Sequence, residues 1–139
     1  MDFSFKQYIF TKAGTPALTS INQLKGKVVG GILGDGEQDW FASFENAGIE
    51  YQFVTLIEQN IVKLKKGRIG AMISFMPDVA KWQGQLSYQK DKPLFSAFDM
   101  MTCHNNPEGS QFIEVISPVL KSMKQDGTMK AILGDLYLE

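Results

Sequence analysis

Between Leu24 and Asp78 the chain repeats one supersecondary phrase: a charged turn, a short strand rich in β-branched residues, then a helix start. The first copy reads Lys25-Gly26-Lys27-Val28-Val29-Gly30-Gly31-Ile32-Leu33-Gly34-Asp35-Gly36, and the second Lys66-Gly67-Arg68-Ile69-Gly70-Ala71-Met72-Ile73-Ser74-Phe75-Met76-Pro77. Strands that alternate with helices pair in parallel, because the helix carries the chain back to the end from which it started. Parallel sheets bind ligands in the crevice beyond the carboxyl ends of their strands. The repeat therefore predicts an α/β fold, a mixed sheet flanked by helices. It also directs the search for a function to the residues that follow the strands.

The opening Phe3-Ser4-Phe5-Lys6 alternates and merges into Tyr8-Ile9-Phe10, a strand with one buried face that Ala13-Gly14-Thr15-Pro16 stops. After a turn over 20–25, strand is expected over 27–33 and helix over 37–47, with Trp40, Phe41 and Phe44 on one stripe and Gly48 as its stop. A strand over 51–54 precedes a helix marked by Ile57, Ile61 and Leu64 and closed by Gly67. The next strand covers 71–75, and Pro77 suits the first turn of a short helix carrying Val79 and Trp82. The polar stretch 83–92 reads as a loop, and 94–103 as a returning strand broken by His104-Asn105-Asn106-Pro107-Glu108-Gly109.

From Ser110 the positions Phe112, Val115, Ile116, Val119, Leu120 and Met123 keep helical spacing, with Pro118 expected to kink the helix or split it after Ser117. Asp126-Gly127 ends it, and a last helix carries Met129, Ile132, Leu133 and Leu136. No linker interrupts the chain, which reads as a single domain over 1–139, with a lobe at about 8–103 and terminal helices at about 108–139.

The 139 residues, 44% of them hydrophobic, suffice for one full core, or one and a part. A net charge of −1 without any Lys/Arg run lacks the electrostatic footprint of phosphate-backbone binding, so nucleic acid is not an expected partner. No apolar run reaches the ~20 residues of a membrane span. Met1-Asp2-Phe3-Ser4-Phe5-Lys6 does not read as a secretory signal, and a single Cys103 gives no evidence for an oxidising compartment.

One His, one Cys and scattered carboxylates offer no metal-ligand cluster, and no cofactor is indicated. The glycines over 30–36 match neither the P-loop nor the dinucleotide fingerprint. Cys103 and His104 are adjacent on an expected strand and point to opposite faces, so they read as a structural thiol and a solvated turn imidazole rather than a catalytic pair. With no nucleophile and base at workable spacing, an enzyme is not expected and no catalytic residue is named.

In order, Leu24-Lys25-Gly26-Lys27-Val28-Val29, then Gly67-Arg68-Ile69-Gly70-Ala71-Met72-Ile73, then Asn106-Pro107-Glu108 followed by Leu120 and Asp126-Gly127-Thr128, resemble bacterial extracellular solute-binding proteins of the amino-acid-binding group that serves ABC transporters. The similarity runs from about Tyr8 to Tyr137 and covers the second lobe, the two crossing segments and the terminal helices of that family. The opening stretch of the first lobe, roughly 90 residues on the usual domain scale, has no counterpart. The resemblance implies a type II periplasmic-binding-protein-like lobe, reversible capture of a small solute without catalysis, a membrane transporter as partner, and a periplasmic location for a complete receptor. The apolar stripes of the terminal helices then need a cover, which predicts a homodimer, face to face or with swapped helices. An interaction domain built on the same lobe without a ligand is the alternative.

Two family positions carry the ligand on this lobe. The loop after the first strand holds the ligand carboxylate with hydroxyls and backbone N–H groups at a helix start. Here it reads Gly34-Asp35-Gly36-Glu37. Carboxylates there favour the helix but repel an anion, so Asp35 is either an N-cap or a ligand contact. The family's acidic partner for a ligand ammonium falls, by register with Gly67-Arg68, on Phe75, which either packs in the core or stacks on a flat or cationic ligand. Asp78 is either its substitute or a first-turn helix charge. The candidate binding set is Gly34, Asp35, Gly36, Phe75 and Asp78. Both departures point away from a simple α-amino acid, toward a polyamine-like, aromatic or otherwise non-zwitterionic solute.

Overall fold

The repeated phrase does build a parallel core. β2 (Val28–Ile32) lies between β3 (Glu50–Val54) and β4 (Ala71–Met76), paired in parallel with both, with Gly30 level with Gln52 on one side and Met72 on the other. β1 (Asp2–Lys12) runs antiparallel to β4, placing Gln7 opposite Phe75 and Ile9 opposite Ile73. The sheet order is β3-β2-β4-β1-β5, and β6 (Phe95–Met100) also pairs with β1. The computed structural model describes residues 2–34, 42, 48–134 and 137, so the helix expected over 37–47 falls almost wholly outside the described residues.

The chain divides into two compact units, residues 6–96 and residues 1–5 with 97–139. In the first, alternation along the strands separates two faces. Ile9, Val29, Ala71 and Ile73 share one face and pack with Leu24 and Ile49, flanked by Leu18, Ile21, Tyr51, Phe53 and Leu94. On the opposite face α1 (Ile57–Lys65) buries Asn60, Ile61 and Leu64, the helical spacing read from the sequence.

Gly30 is what lets α1 approach so closely. A Cβ there would lie 2.6 Å from Asn60 Oδ1 and 2.8 Å from Ile69 Cδ1. Into that space Asn60, 1% exposed, donates from Nδ2 to the Gly31 carbonyl at 3.0 Å. That donor bond ties helix to sheet, while Asn60 Oδ1 is buried without a hydrogen-bond partner.

The segment 83–92, expected as a loop, contains a short strand. A 3-10 turn (Ala80–Gln85) leads into β5 (Leu86–Ser87), which pairs with Thr11 and Lys12. Its polar composition conceals two anchors. Leu86 is buried, and the Tyr88 ring meets Tyr8 and Phe10 with centroids 5.1 Å and 5.2 Å away. Tyr8 then donates its hydroxyl proton to the Lys90 carbonyl at 2.9 Å, and Gln83 Nε2 donates to the Tyr88 hydroxyl at 2.8 Å. Pro77 does not open a helix. It occupies the turn before the 3-10 segment, after a cis Met76–Pro77 peptide.

In the second unit, α2 (Pro107–Gln125) is continuous through Pro118 rather than split after Ser117. Pro118 is exposed, so water can take the carbonyl that its ring leaves unbonded. The helix begins at Pro107, three residues before the sequence placed it, because Asn106 Oδ1 accepts from the Gly109 N–H at 2.7 Å and caps it. α3 (Thr128–Leu133) follows the left-handed Gly127 and buries Met129.

Gly30→Ala is expected to lower stability by roughly 1–3 kcal/mol. The measurement is a urea midpoint at unchanged slope, and an unaltered midpoint would show that Asn60 is not held against the strand. Burial, then the neighbouring Tyr88 and Asp91, raise the Tyr8 hydroxyl above its ordinary 10.0. The unfolded chain therefore releases that proton first. The stability Tyr8 contributes is complete below 10.0 and is lost as pH climbs through the raised value. Tyr8→Phe should be less stable near neutrality and lose less on alkaline titration, while Tyr51, also raised by burial, keeps part of the slope in both proteins. Parallel pH profiles for the two proteins would refute the assignment.

Candidate functional site

The connections leaving β2 and β4 part company. From β2 the chain goes on to β3 on one side, whereas beyond β4 it turns toward β5 on the other, so a topological switch point opens between the carboxyl ends of β2 and β4. The parallel register, Val29 with Ala71 and Gly30 with Met72, puts Leu33 and Gly34, just after β2, at the same end of the sheet as Phe75 and Met76, which end β4. Gly34 adopts a left-handed φ of +93°, a turn that disfavours any side chain and breaks the strand at this level.

The candidate positions divide accordingly. Gly34, Phe75 and Asp78 all lie at the same end of adjacent strands, Phe75 half-buried on β4 and Asp78 exposed in the turn after it. Asp35 and Gly36 lie outside the described residues. Phe75 is on the face that carries Ile73 and Ile9, one step beyond the packed cluster, and so stands at the rim of the core.

Sequence reasoning did not find Gln7. It is 4% exposed and directly opposite Phe75, and its carbonyl accepts from the Leu94 N–H at 2.8 Å. A polar residue within an apolar strand was the available signal, but its antiparallel partner is 68 positions away and nothing local names it.

The start of α1 completes this end of the sheet. Gln59 Oε1 accepts from the Leu56 N–H at 3.1 Å, so the helix caps itself. Glu58, in its first turn, is exposed and pairs with Lys81 at 3.0 Å. That hydrogen bond holds the Glu58 carboxyl below its ordinary value of 4.5. Among the described residues, no three His, Cys, Asp or Glu side chains gather as a metal site requires, and no helix is long and apolar enough to cross a membrane.

No family model matches the chain, and no curated protein does. Solved structures do. An ancestral arginine-binding protein bound to arginine is 25% identical, with a TM-score of 0.63 over 98% of this chain and 62% of its own. The substrate binding protein of an amino acid ABC transporter is 14% identical, with a TM-score of 0.67 over 96% of this chain and 60% of its own. An ancestral amino acid-binding protein described as a precursor of cyclohexadienyl dehydratase is 17% identical, with a TM-score of 0.69 over 97% of this chain and 58% of its own. The chain thus has the type II periplasmic-binding-protein-like fold of amino-acid-binding solute-binding proteins, and spans about 60% of the length of those it matches.

Proposed function

We propose that this chain is the ligand-holding second lobe of a solute-binding protein, capturing a small solute reversibly and without catalysis at the carboxyl ends of β2 and β4. The observation that carries the reading is the switch point itself, formed within a fold that matches amino-acid-binding proteins over nearly the whole chain. In that role the lobe serves a membrane transporter from the periplasm. The solute bridges this lobe to an opposing surface and favours closure by its differential affinity for the closed state.

The solute is not a simple α-amino acid, because the position that resembles an ammonium-binding carboxylate is Phe75. Thermal shift with L-arginine and L-glutamine should be flat, while a panel of aromatic and polyamine solutes should contain stabilising members. Micromolar affinity for either amino acid by titration calorimetry would refute the ligand assignment. A flat response to every solute would favour the second reading, an interaction domain that keeps the lobe without its ligand.

That second reading has its own support. On α2, Ile113, Ile116, Leu120 and Met123 are half-buried, but Phe112, Val115 and Val119 form a separate exposed stripe, and Val115 is 65% exposed. A second copy of the chain covers this stripe, face to face or by exchange of the terminal helices. Light scattering at micromolar concentration should give twice the 15.5 kDa of one chain, and Val115→Lys should halve it. A monomer in the parent protein would refute the dimer.

A further inference from the structure

The amino ends of the parallel strands gather positive charge. Lys25 and Lys27 lead into β2, and Lys63, Lys65, Lys66 and Arg68 run from the last turn of α1 toward β4. Backbone bonds stitch these connections together: the Gly26 N–H donates to the Gly48 carbonyl at 2.8 Å, the Glu50 N–H to the Lys27 carbonyl at 3.2 Å and the Gly70 N–H to the Val28 carbonyl at 2.8 Å. The stem of Lys27 lies over Gly70, where an added Cβ would stand 3.4 Å from the lysine Cβ, and Lys63 Nζ donates to Gln52 Oε1 on β3 at 3.3 Å. Over residues 24–28, 48–52 and 63–70, six cations stand against one carboxylate, Glu50, in a chain whose net charge is −1.

Part of this has a local cause. The carbonyl end of a helix favours cations in its last turn, which accounts for Lys63 and Lys65. It does not account for Lys25 and Lys27, which belong to a different connection and lead into a strand. Among the described residues, none of Lys25, Lys27, Lys65, Lys66 and Arg68 has an ion pair. Like charges so gathered repel one another, and an anionic partner relieves the repulsion.

The kind of anion follows from what surrounds the cations. Leu24, Ile49, Leu64 and Ile69 are buried and Val28 is half-buried, so these turns present no apolar centre to a folded protein partner. The one aromatic ring in them, Tyr51, packs against the core cluster rather than standing out to stack on a base. Five of the six cations are lysines, mobile point charges without the planar fork that recognises a single carboxylate or phosphate. Diffuse charge on flexible stems suits an array of headgroup phosphates, which asks for no shape complementarity.

We propose that this basic end of the sheet rests on a membrane surface containing anionic phospholipids and holds the lobe there by reversible electrostatic adsorption. It lies at the amino ends of the strands, whereas the crevice lies at their carboxyl ends, so it does not depend on what the crevice binds.

The test is sedimentation of the 139-residue chain with phosphatidylcholine vesicles, with and without about one-third phosphatidylglycerol. Binding is expected with the anionic vesicles alone, and should fall about tenfold or more when salt shortens the Debye length from roughly 10 Å to roughly 3 Å. Lys65→Gln/Lys66→Gln/Arg68→Gln, at exposed positions, should weaken it about a hundredfold, at about fivefold per cation, and Lys25→Gln alone about fivefold. Lys6→Gln/Lys90→Gln/Lys92→Gln removes as much charge outside these connections and should weaken it by no more than about twofold. Equal binding to the uncharged vesicles, no binding to the anionic ones at low salt, or equal weakening by the two triple variants would overturn the proposal. Capture by poly-L-glutamate without capture by vesicles would overturn it too, and make the partner an acidic polypeptide.

Discussion

The structure turns on β2 being paired in parallel on both of its edges. A strand so placed cannot be connected to either neighbour by a hairpin, and the link from β3 to β4 has to pass over a face of the sheet. α1 makes that passage, and it comes close enough to lodge a side-chain amide against the strand only because residue 30 has no Cβ. The same arrangement sends the chain after β2 and the chain after β4 in opposite directions. The helix-to-sheet contact and the crevice are two consequences of one pairing.

Much of that was legible because it is written in short-range pattern. The β-branched runs located β2, β3 and β4 to within two residues, and Ile61 and Leu64 marked the buried stripe of α1. What escaped depends on partners distant in sequence. β5 is two residues long and exists because Thr11 and Lys12 lie alongside it and Tyr88 reaches Tyr8 and Phe10. The start of α2 was misplaced because Asn106 and Pro107 were read as a break, when an Asn N-cap followed by Pro at the first position is a helix opening. Pro118 reads as a helix breaker in sequence, and its exposure to solvent is visible only in the structure.

The candidate site shows the same division. Gly34, Phe75 and Asp78 were accessible because each ends a copy of the repeated phrase, and the repeat itself aligns them. Gln7 enters only through antiparallel pairing. That Leu33 and Leu56 face water is not legible in the sequence for a different reason: a leucine beside a strand is usually core, and only the structure distinguishes one that packs from one that does not.

The packed cluster and the strand ends also differ in what a substitution costs. The cluster of Ile9, Val29, Ala71 and Ile73 stops two residues short of Gln7 and Phe75, which face each other across β1 and β4. A substitution within the cluster leaves a cavity or overfills it, at a cost of order 1–5 kcal/mol, whereas one at the exposed leucines alters a surface. Two residues along the strand, roughly 6.6 Å, separate the packed cluster from that rim. The matching fold is held by sheet pairing, whereas Gly34 lies beyond β2 and Phe75 at the rim of the packed cluster.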